Sequence, residues 1–218
     1  MKKQMCTIIL IAINVIAFLA LSFNGMTENA EFMLEHGAMY VPYMLEGEEK
    51  YRLVTSMFMH FDINHLLNNM LMLAVIGWNL EYEIGKIKFL IIYFGSGLCG
   101  NILSAYGDIL TGEYAVSAGA SGAVFGIVGA LLYVALRNKG QIGDISGRGL
   151  VFMVILSLYY GFQSSGVDNL AHIGGLIGGI LVSMAVGVKY KSEKADIING
   201  IIMTLIFTGF LIYMIFYR

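Results

Sequence analysis

The stretch Ser117-Ala-Gly-Ala-Ser121-Gly-Ala-Val-Phe-Gly126 lies in a long apolar segment, 115–136. Gly122 and Gly126 are four residues apart and share one helix face, which is typical of a helix that packs closely against a neighbour. With a helix beginning near residue 115, Ser121 is expected about 9 Å inside it at ~1.5 Å per residue. Serine on such a face commonly bonds a backbone carbonyl. This stretch alone therefore favours helix packing over catalysis.

The composition around this segment is that of a membrane protein. Of the 218 residues, 58% are hydrophobic and 13% are charged, whereas soluble domains have about 25% charged residues. The formal net charge of −2 gives no indication of nucleic-acid binding. No group of histidine, cysteine and carboxylate residues has the spacing of a metal site. We expect an all-α, polytopic membrane helical bundle.

Seven apolar segments account for the expected spans. The first segment, of 19 residues, exceeds the ~7–15 residues of a signal-peptide core. A long connection, 24–63, follows it and is expected to carry short helices or a functional loop. The fifth segment has 14 residues, or about 21 Å, against a hydrocarbon thickness near ~30 Å. In chain order the spans are 5–23, 66–80, 89–106, 115–136, 149–162, 170–188 and 197–217.

The lysine and arginine distribution predicts the orientation. If the N-terminus is inside and seven spans alternate, ten of the 13 Lys and Arg residues lie inside. The three outside are Lys50, Arg52 and Arg218. Because positive charges concentrate on the cytoplasmic side, we expect a cytoplasmic N-terminus.

In this orientation three spans carry polar side chains at their outer ends. His65 and Asn69 lie on the second span, Ser121 on the fourth and His172 on the sixth. Polar groups in hydrocarbon are costly and mark function. Their shared depth therefore outweighs the helix-packing interpretation of Ser121.

A glycine face indicates how Ser121 and His172 would meet. His172, Gly175 and Gly179 lie on one face of the sixth span. If that face packs against Gly122 and Gly126, the serine and the histidine approach each other.

These residues supply the parts of a hydrolase site that needs no metal or cofactor. Serine becomes a nucleophile when a base such as His172 accepts its proton. An oxyanion needs donors placed in advance. His65 and Asn69 share a helix face and both can donate, and the Ser121 backbone N–H is a third candidate.

Several motifs resemble those of the rhomboid intramembrane serine proteases. Gly119-Ala-Ser-Gly122 resembles the nucleophile motif, and Ala171-His-Ile-Gly-Gly175 resembles the histidine motif. The stretch His60-Phe-Asp-Ile-Asn-His-Leu-Leu-Asn-Asn69 resembles the second-span signature. Tyr51-Arg52 resembles the Trp-Arg pair of the first loop, with tyrosine for tryptophan, and Glu81 with Gly85 resembles the acidic residue and glycine that follow the second span.

The resemblance implies a Ser121–His172 dyad without a third acid. It implies oxyanion donors in His65, Asn69 and the Ser121 backbone, and an aromatic ring, Phe125, against the catalytic histidine. It also implies cleavage of transmembrane protein substrates, in or beside their spans, within a lipid bilayer.

The same resemblance implies a domain organisation. We expect a six-helix rhomboid-like core over 1–190, with the long outer loop 24–63, and an additional C-terminal transmembrane helix in 191–218. The protein is then a multi-pass protein of a bacterial cell membrane, with its active site opening toward the outer face. The sequence does not indicate an oligomeric state.

Other interpretations remain open. Asp168 is either a triad acid or the N-cap of the sixth helix, with Asn169 as a rival cap. His60 is interpreted as a loop residue, Arg52 as a loop anchor and Glu81 as a structural hydrogen-bonding residue. A non-catalytic rhomboid-like protein that binds membrane clients is the alternative function. A channel or transporter would carry ionisable groups through the full depth of the spans.

Overall fold

The computed structural model describes residues 4–46, 49–142, 145–164, 166–188 and 191–216. Four residues used for the orientation, Lys2, Lys3, Lys189 and Arg218, lie outside this part of the chain. The described residues are mostly helical. In chain order the elements are α1 (Met5–Asn24), α2 (Ala30–Glu35), α3 (Val41–Glu46), α4 (Arg52–Thr55), a 3-10 turn (Ser56–Phe58), α5 (Ile63–Met72), a π-helical turn (Leu73–Gly77), α6 (Trp78–Ile84), α7 (Lys86–Thr111), α8 (Ser121–Arg137), β1 (Gln141–Ile142), β2 (Ile145–Ser146), α9 (Gly147–Gln163), α10 (Asn169–Val186) and α11 (Lys194–Phe216).

Four of the described helices are long and apolar enough to cross a membrane. They are α1, α7, α10 and α11, while α8 is apolar but has 17 residues. The predicted second span is longer than expected, because α5, the π-helical turn and α6 follow one another without a break. The wider turn lies where Gly77 packs against α1 and α7, since a methyl group built on it would lie 3.4 Å from both Thr7 and Phe89.

The loop between α1 and α5 carries short helices, as predicted. Arg52 is 3% exposed and anchors this loop. Its guanidinium donates to the carbonyls of Leu34 at 2.6 Å and Ala38 at 2.8 Å, and to the Glu49 carboxylate at 2.6 Å. Buried carbonyls need such donors, so the prediction of Arg52 as a loop anchor is confirmed.

Glu81 forms a second anchor at the start of α1. Its carboxylate accepts the backbone N–H groups of Cys6 at 3.1 Å and Thr7 at 2.8 Å, and the Thr7 hydroxyl at 2.8 Å. A carboxylate at a helix N-terminus satisfies free donors and complements the helix dipole. The predicted structural role of Glu81 is confirmed.

Helix α8 lies at the centre of the bundle and packs against α7 and α10. A methyl group on Gly175 would collide with the Gly122 carbonyl oxygen, and one on Gly179 would collide with the Gly126 carbonyl oxygen. Only glycine permits so close an approach of the backbones. The predicted pairing of these two glycine faces is therefore confirmed.

The predicted start of the fourth span is wrong. Helix α8 begins at Ser121 itself, and residues 115–120 form a non-helical approach segment before it. Ser117 pairs with Met39 in an isolated bridge, and Gly119 has a φ of 151°. These contacts with the outer loop hold the approach out of helical geometry. The prediction that Ser121 lies about 9 Å inside the helix is therefore wrong, since helix depth is counted from its first residue at ~1.5 Å each.

The helix in the region of the predicted fifth span is also longer than expected. Helix α9 has 17 residues, three more than expected, which is roughly 25 Å at ~1.5 Å per residue. Its buried residues are Leu150, Val154 and Gly161. Helix α8 has the same length but is buried along most of its course. A length of 17 residues therefore does not explain why α9 buries so few of its side chains.

Helix α11 packs on the side of α10. Gly200 fits against the backbone at Met184 and Ala185, and Arg137 of α8 forms an ion pair with Asp196. At its other end, Leu211 and Ile215 join a hydrophobic cluster with three residues of the outer loop, Met39, Val41 and Met44.

Candidate active site

A cavity of about 770 Å³ opens between the helices, and it holds every residue that the sequence marked for the site. Its lining includes Ser121, His172, His65, Asn69 and Phe125. Apolar side chains from α5 and α9 form part of its wall, among them Met72, Met153 and Val154. The structure therefore brings the predicted serine, histidine and oxyanion residues to one space.

Ser121 lies at the first turn of α8. The first four N–H groups of a helix lack partners within the helix, so the backbone N–H of Ser121 is of the kind that can bind an anion. The turn before it is fixed from the outer loop. Gly119 donates its N–H to the Ser56 carbonyl at 2.9 Å, and Ala120 donates to His60 Nε2 at 3.5 Å.

His65 lies directly beside the nucleophile turn. A methyl group built on Gly119 would lie 2.9 Å from His65 Nε2 and 3.6 Å from Ser121 Oγ. The His65 imidazole and the Ser121 hydroxyl therefore both lie close to the α-carbon side of Gly119 on which that methyl group was built. Gly119 also has a positive backbone φ, which residues with a side chain rarely adopt. Glycine at this position leaves room for the His65 ring.

Asn69 lies one turn after His65 on the same face of α5. It is 6% exposed, and its Nδ2 donates to the His65 carbonyl at 3.0 Å. An amide nitrogen has two N–H groups, so a second donor remains after this bond. The neighbouring Asn68 is exposed but also borders the cavity.

His172 is stacked against Phe125. Their ring centroids are 4.2 Å apart and their planes differ by 8°. The imidazole is 9% exposed, and its Nδ1 has no hydrogen-bond partner among the described residues. Ring packing therefore holds the orientation of His172.

Asp168 acts as the N-cap of α10. Its Oδ1 accepts the N–H of Ala171 at 2.8 Å. Its Oδ2 accepts the hydroxyls of Ser104 at 2.6 Å and Ser117 at 2.9 Å. Of the two candidate caps, Asp168 is the one observed, and its oxygens form no hydrogen bond with His172 Nδ1.

His60 supports the turn before Ser121, a role that the sequence did not predict. It lies in the loop before α5, as expected, but it is fully buried. Its ring meets the His65 ring edge-on at 5.0 Å. Burial, with a smaller contribution from neighbouring His65, lowers the pKa of His60 to about 3. It is therefore a neutral acceptor for Ala120. In the sequence, the one indication of this role is that His60 and His65 belong to the same second-span signature, 60–69.

Membrane-length helices around a cavity lined by serine, histidine and asparagine define a helical membrane protein with a polar site between its helices. The family model for the Rhomboid domain matches residues 47–189. The chain belongs to the rhomboid family, and it is an integral membrane protein.

The curated relatives agree with this assignment. The chain is 36% identical to the rhomboid protease GluP of Bacillus subtilis over 212 residues, which are 97% of this chain and 41% of that protein. It is 38% identical to RHOMBOID-like protein 7 of Arabidopsis thaliana over 172 residues, 77% of this chain and 54% of that protein. It is also 38% identical to the mitochondrial RHOMBOID-like protein 6 of the same plant over 168 residues, 75% of this chain and 52% of that protein. The chain thus spans about half the length of these relatives.

Proposed function

We propose that this protein is an intramembrane serine endopeptidase that hydrolyses peptide bonds in or beside transmembrane segments of other membrane proteins. The observation that carries this proposal is the convergence of Ser121, His172, His65 and Asn69 on one cavity between helices. Family membership and the name of the 36% identical relative support it.

The proposed reaction uses a dyad. The Ser121 hydroxyl attacks the scissile carbonyl carbon while His172 accepts its proton. The tetrahedral intermediate collapses to an acyl-enzyme, and His172 returns the proton to the leaving amine. A water molecule, deprotonated by His172, then releases the acyl group and restores Ser121. The stacked Phe125 ring orients the imidazole in place of a third acid.

The proposed oxyanion site has three donors. They are the backbone N–H of Ser121, the imidazole of His65 and the remaining amide N–H of Asn69. All three belong to groups that border the cavity. Donors placed in advance stabilise the negative charge that develops on the carbonyl oxygen.

The proposed topology has seven spans. A six-helix core within 1–190 is followed by an additional C-terminal helix in 191–218. The N-terminus is cytoplasmic, and the cavity opens toward the outer face. The positive-inside rule supports this orientation.

Cleavage by the purified protein in liposomes tests the proposal. A model substrate with one transmembrane segment should be cut by the wild type and left intact by Ser121→Ala, with both proteins melting at similar temperatures. Binding of the substrate by both proteins without cleavage would instead support the non-catalytic client-binding function. Equal cleavage by both proteins would refute Ser121 as the nucleophile.

A further inference from the structure

The two proposed catalytic residues are each preceded, four positions earlier, by a residue of one hydrogen-bonded cluster. Ser117 precedes Ser121, and Asp168 precedes His172. The Ser117 hydroxyl donates to Asp168 Oδ2 at 2.9 Å, and the buried Ser104 hydroxyl donates to the same oxygen at 2.6 Å. We propose that Asp168 is a positioning residue that fixes the nucleophile approach relative to the histidine helix. This inference rests on the function proposed above.

Other hydrogen bonds of the approach segment lead elsewhere. Ser117 exchanges backbone hydrogen bonds with Met39 at 2.8 and 2.9 Å, and Gly119 donates to the Ser56 carbonyl. These bonds hold residues 115–120 against the outer loop. The bond from Ser117 to Asp168 joins the segment to α10 instead, at the end of the helix that carries His172.

The glycine contacts between α8 and α10 constrain the two helices in a different way. Gly175 lies against Gly122, the residue after Ser121 in the first turn of α8, and Gly179 lies against Gly126, one turn further along. Such contacts set how closely two helices approach. The Asp168 cluster adds a fixed point before the first turn of each helix. Two fixed points along a pair of helices restrict both their separation and their relative rotation.

The chemistry of Asp168 suits this role. The Asp168 side chain has two oxygens, each of which can accept more than one hydrogen bond. Ser104 on α7, Ser117 before α8 and the first turn of α10 thus share one acceptor side chain. A misplacement of about 1 Å in a catalytic group can cost about 10²-fold in rate, so loosening this cluster should slow the reaction.

Substitution by serine separates this role from capping. Serine is itself a preferred N-cap, so Asp168→Ser keeps a cap for α10, but its shorter side chain does not reach Ser104 and Ser117. We expect kcat to fall roughly 10-fold or more in Asp168→Ser and in Ser117→Ala, with KM little changed. The double variant should lose no more than about the larger single loss, since both changes remove one interaction.

Substitution by asparagine separates positioning from a triad. The amide side chain in Asp168→Asn retains the cap and the reach to both serines, whose hydroxyls can rotate to accept from the amide. A positioning residue should therefore retain most of the wild-type rate in this variant, whereas a triad acid should lose as much as His172→Ala. Ser183→Ala is the matched control, because Ser183 is a buried serine of α10 that bonds the Ile180 carbonyl and not Asp168.

The experiment is steady-state proteolysis in liposomes with parallel melting curves and Ser121→Ala as the inactive reference. The proposal is supported if Asp168→Ser and Ser117→Ala lose kcat at unchanged melting temperature while Asp168→Asn and Ser183→Ala keep it. It is overturned if Asp168→Ser matches the wild type, if its loss tracks lost stability, or if Asp168→Asn is as inactive as His172→Ala. Activity in Ser121→Ala would instead refute the proposed function, and this result is distinguishable from a failure of the Asp168 proposal, in which Ser121→Ala stays inactive.

Discussion

The imidazole of His172 lies parallel to the ring of Phe125, with 4.2 Å between their centroids and 8° between their planes. Since His172 Nδ1 has no hydrogen-bond partner among the described residues, this stacking is what orients the ring. An aromatic pair of this kind contributes about 0.5–1.5 kcal/mol beyond its buried area.

Loss of the stacking partner should slow catalysis more than it weakens substrate binding. We expect Phe125→Leu to lower kcat by up to about 10-fold, since ~1.4 kcal/mol corresponds to a factor of ten. Phe125→Tyr keeps a ring of the same shape and should retain most of the rate. Steady-state kinetics of the two variants provide the test. Equal activity of the leucine and tyrosine variants would contradict an orienting role.

The oxyanion assignment predicts that substitutions of the two donors on α5 lower kcat strongly. Removing one donor should cost about 10²–10³-fold in kcat, so His65→Ala and Asn69→Ala should each fall in this range. The double variant should lose less than the product of the single losses, because both donors act on one oxygen. Kinetics on one substrate would measure all three variants.

Asn68→Ala is the control for that assignment. Asn68 lies about 100° around the helix from Asn69 at ~3.6 residues per turn, and it is exposed. We expect a much smaller effect. A loss in Asn68→Ala greater than in Asn69→Ala would require a different set of oxyanion donors.

The glycine contacts between α8 and α10 should control stability. A methyl group at Gly179 meets the Gly126 carbonyl oxygen, which is backbone and cannot rotate away. Forcing extra atoms into a packed core costs about 1–3 kcal/mol, so Gly179→Ala should lower the melting temperature. Gly209→Ala on α11 is the matched control, because among the described residues no atom beyond its own helix turn lies within 4 Å of the added methyl group. Similar melting temperatures for the two variants would contradict the packing account.

Substrate access is expected between α5 and α9. Met72 of α5 and Met153 of α9 line the cavity, and α9 buries few of its residues. Cysteines at both positions, in a background with Cys6 and Cys99 replaced by alanine, can be joined by a bifunctional maleimide that contains a disulfide. We expect cleavage of a transmembrane substrate to stop and to return on reduction. Full activity with the crosslink complete would exclude this route.

The sequence predicted the helical class and the residues that line the cavity because their signals are local. Apolar runs mark the helices, and the four-residue spacing of Gly122 and Gly126 marks a packing face. The pairing of that face with Gly175 and Gly179 followed from the same small-residue rule. The motif around Ser121 carried the family resemblance that the comparisons confirmed.

The start of α8 was predicted wrongly because it depends on distant contacts. Residues 115–120 are apolar enough to continue a helix, yet Ser117 pairs with Met39, which is far away in the chain. His60 was underestimated for the same reason, since its burial depends on the outer loop and its bond on Ala120. Periodicity within one segment does not report such contacts.

The most direct test of the proposed dyad is covalent labelling of the purified protein with a fluorophosphonate, followed by mass spectrometry of the adduct. A serine activated by a neighbouring base reacts with such reagents, whereas an ordinary helix serine does not. We expect one adduct, on Ser121, that is lost in Ser121→Ala and strongly reduced in His172→Ala, while Ser183→Ala labels normally. An adduct on another serine, or undiminished labelling of Ser121 without His172, would contradict it.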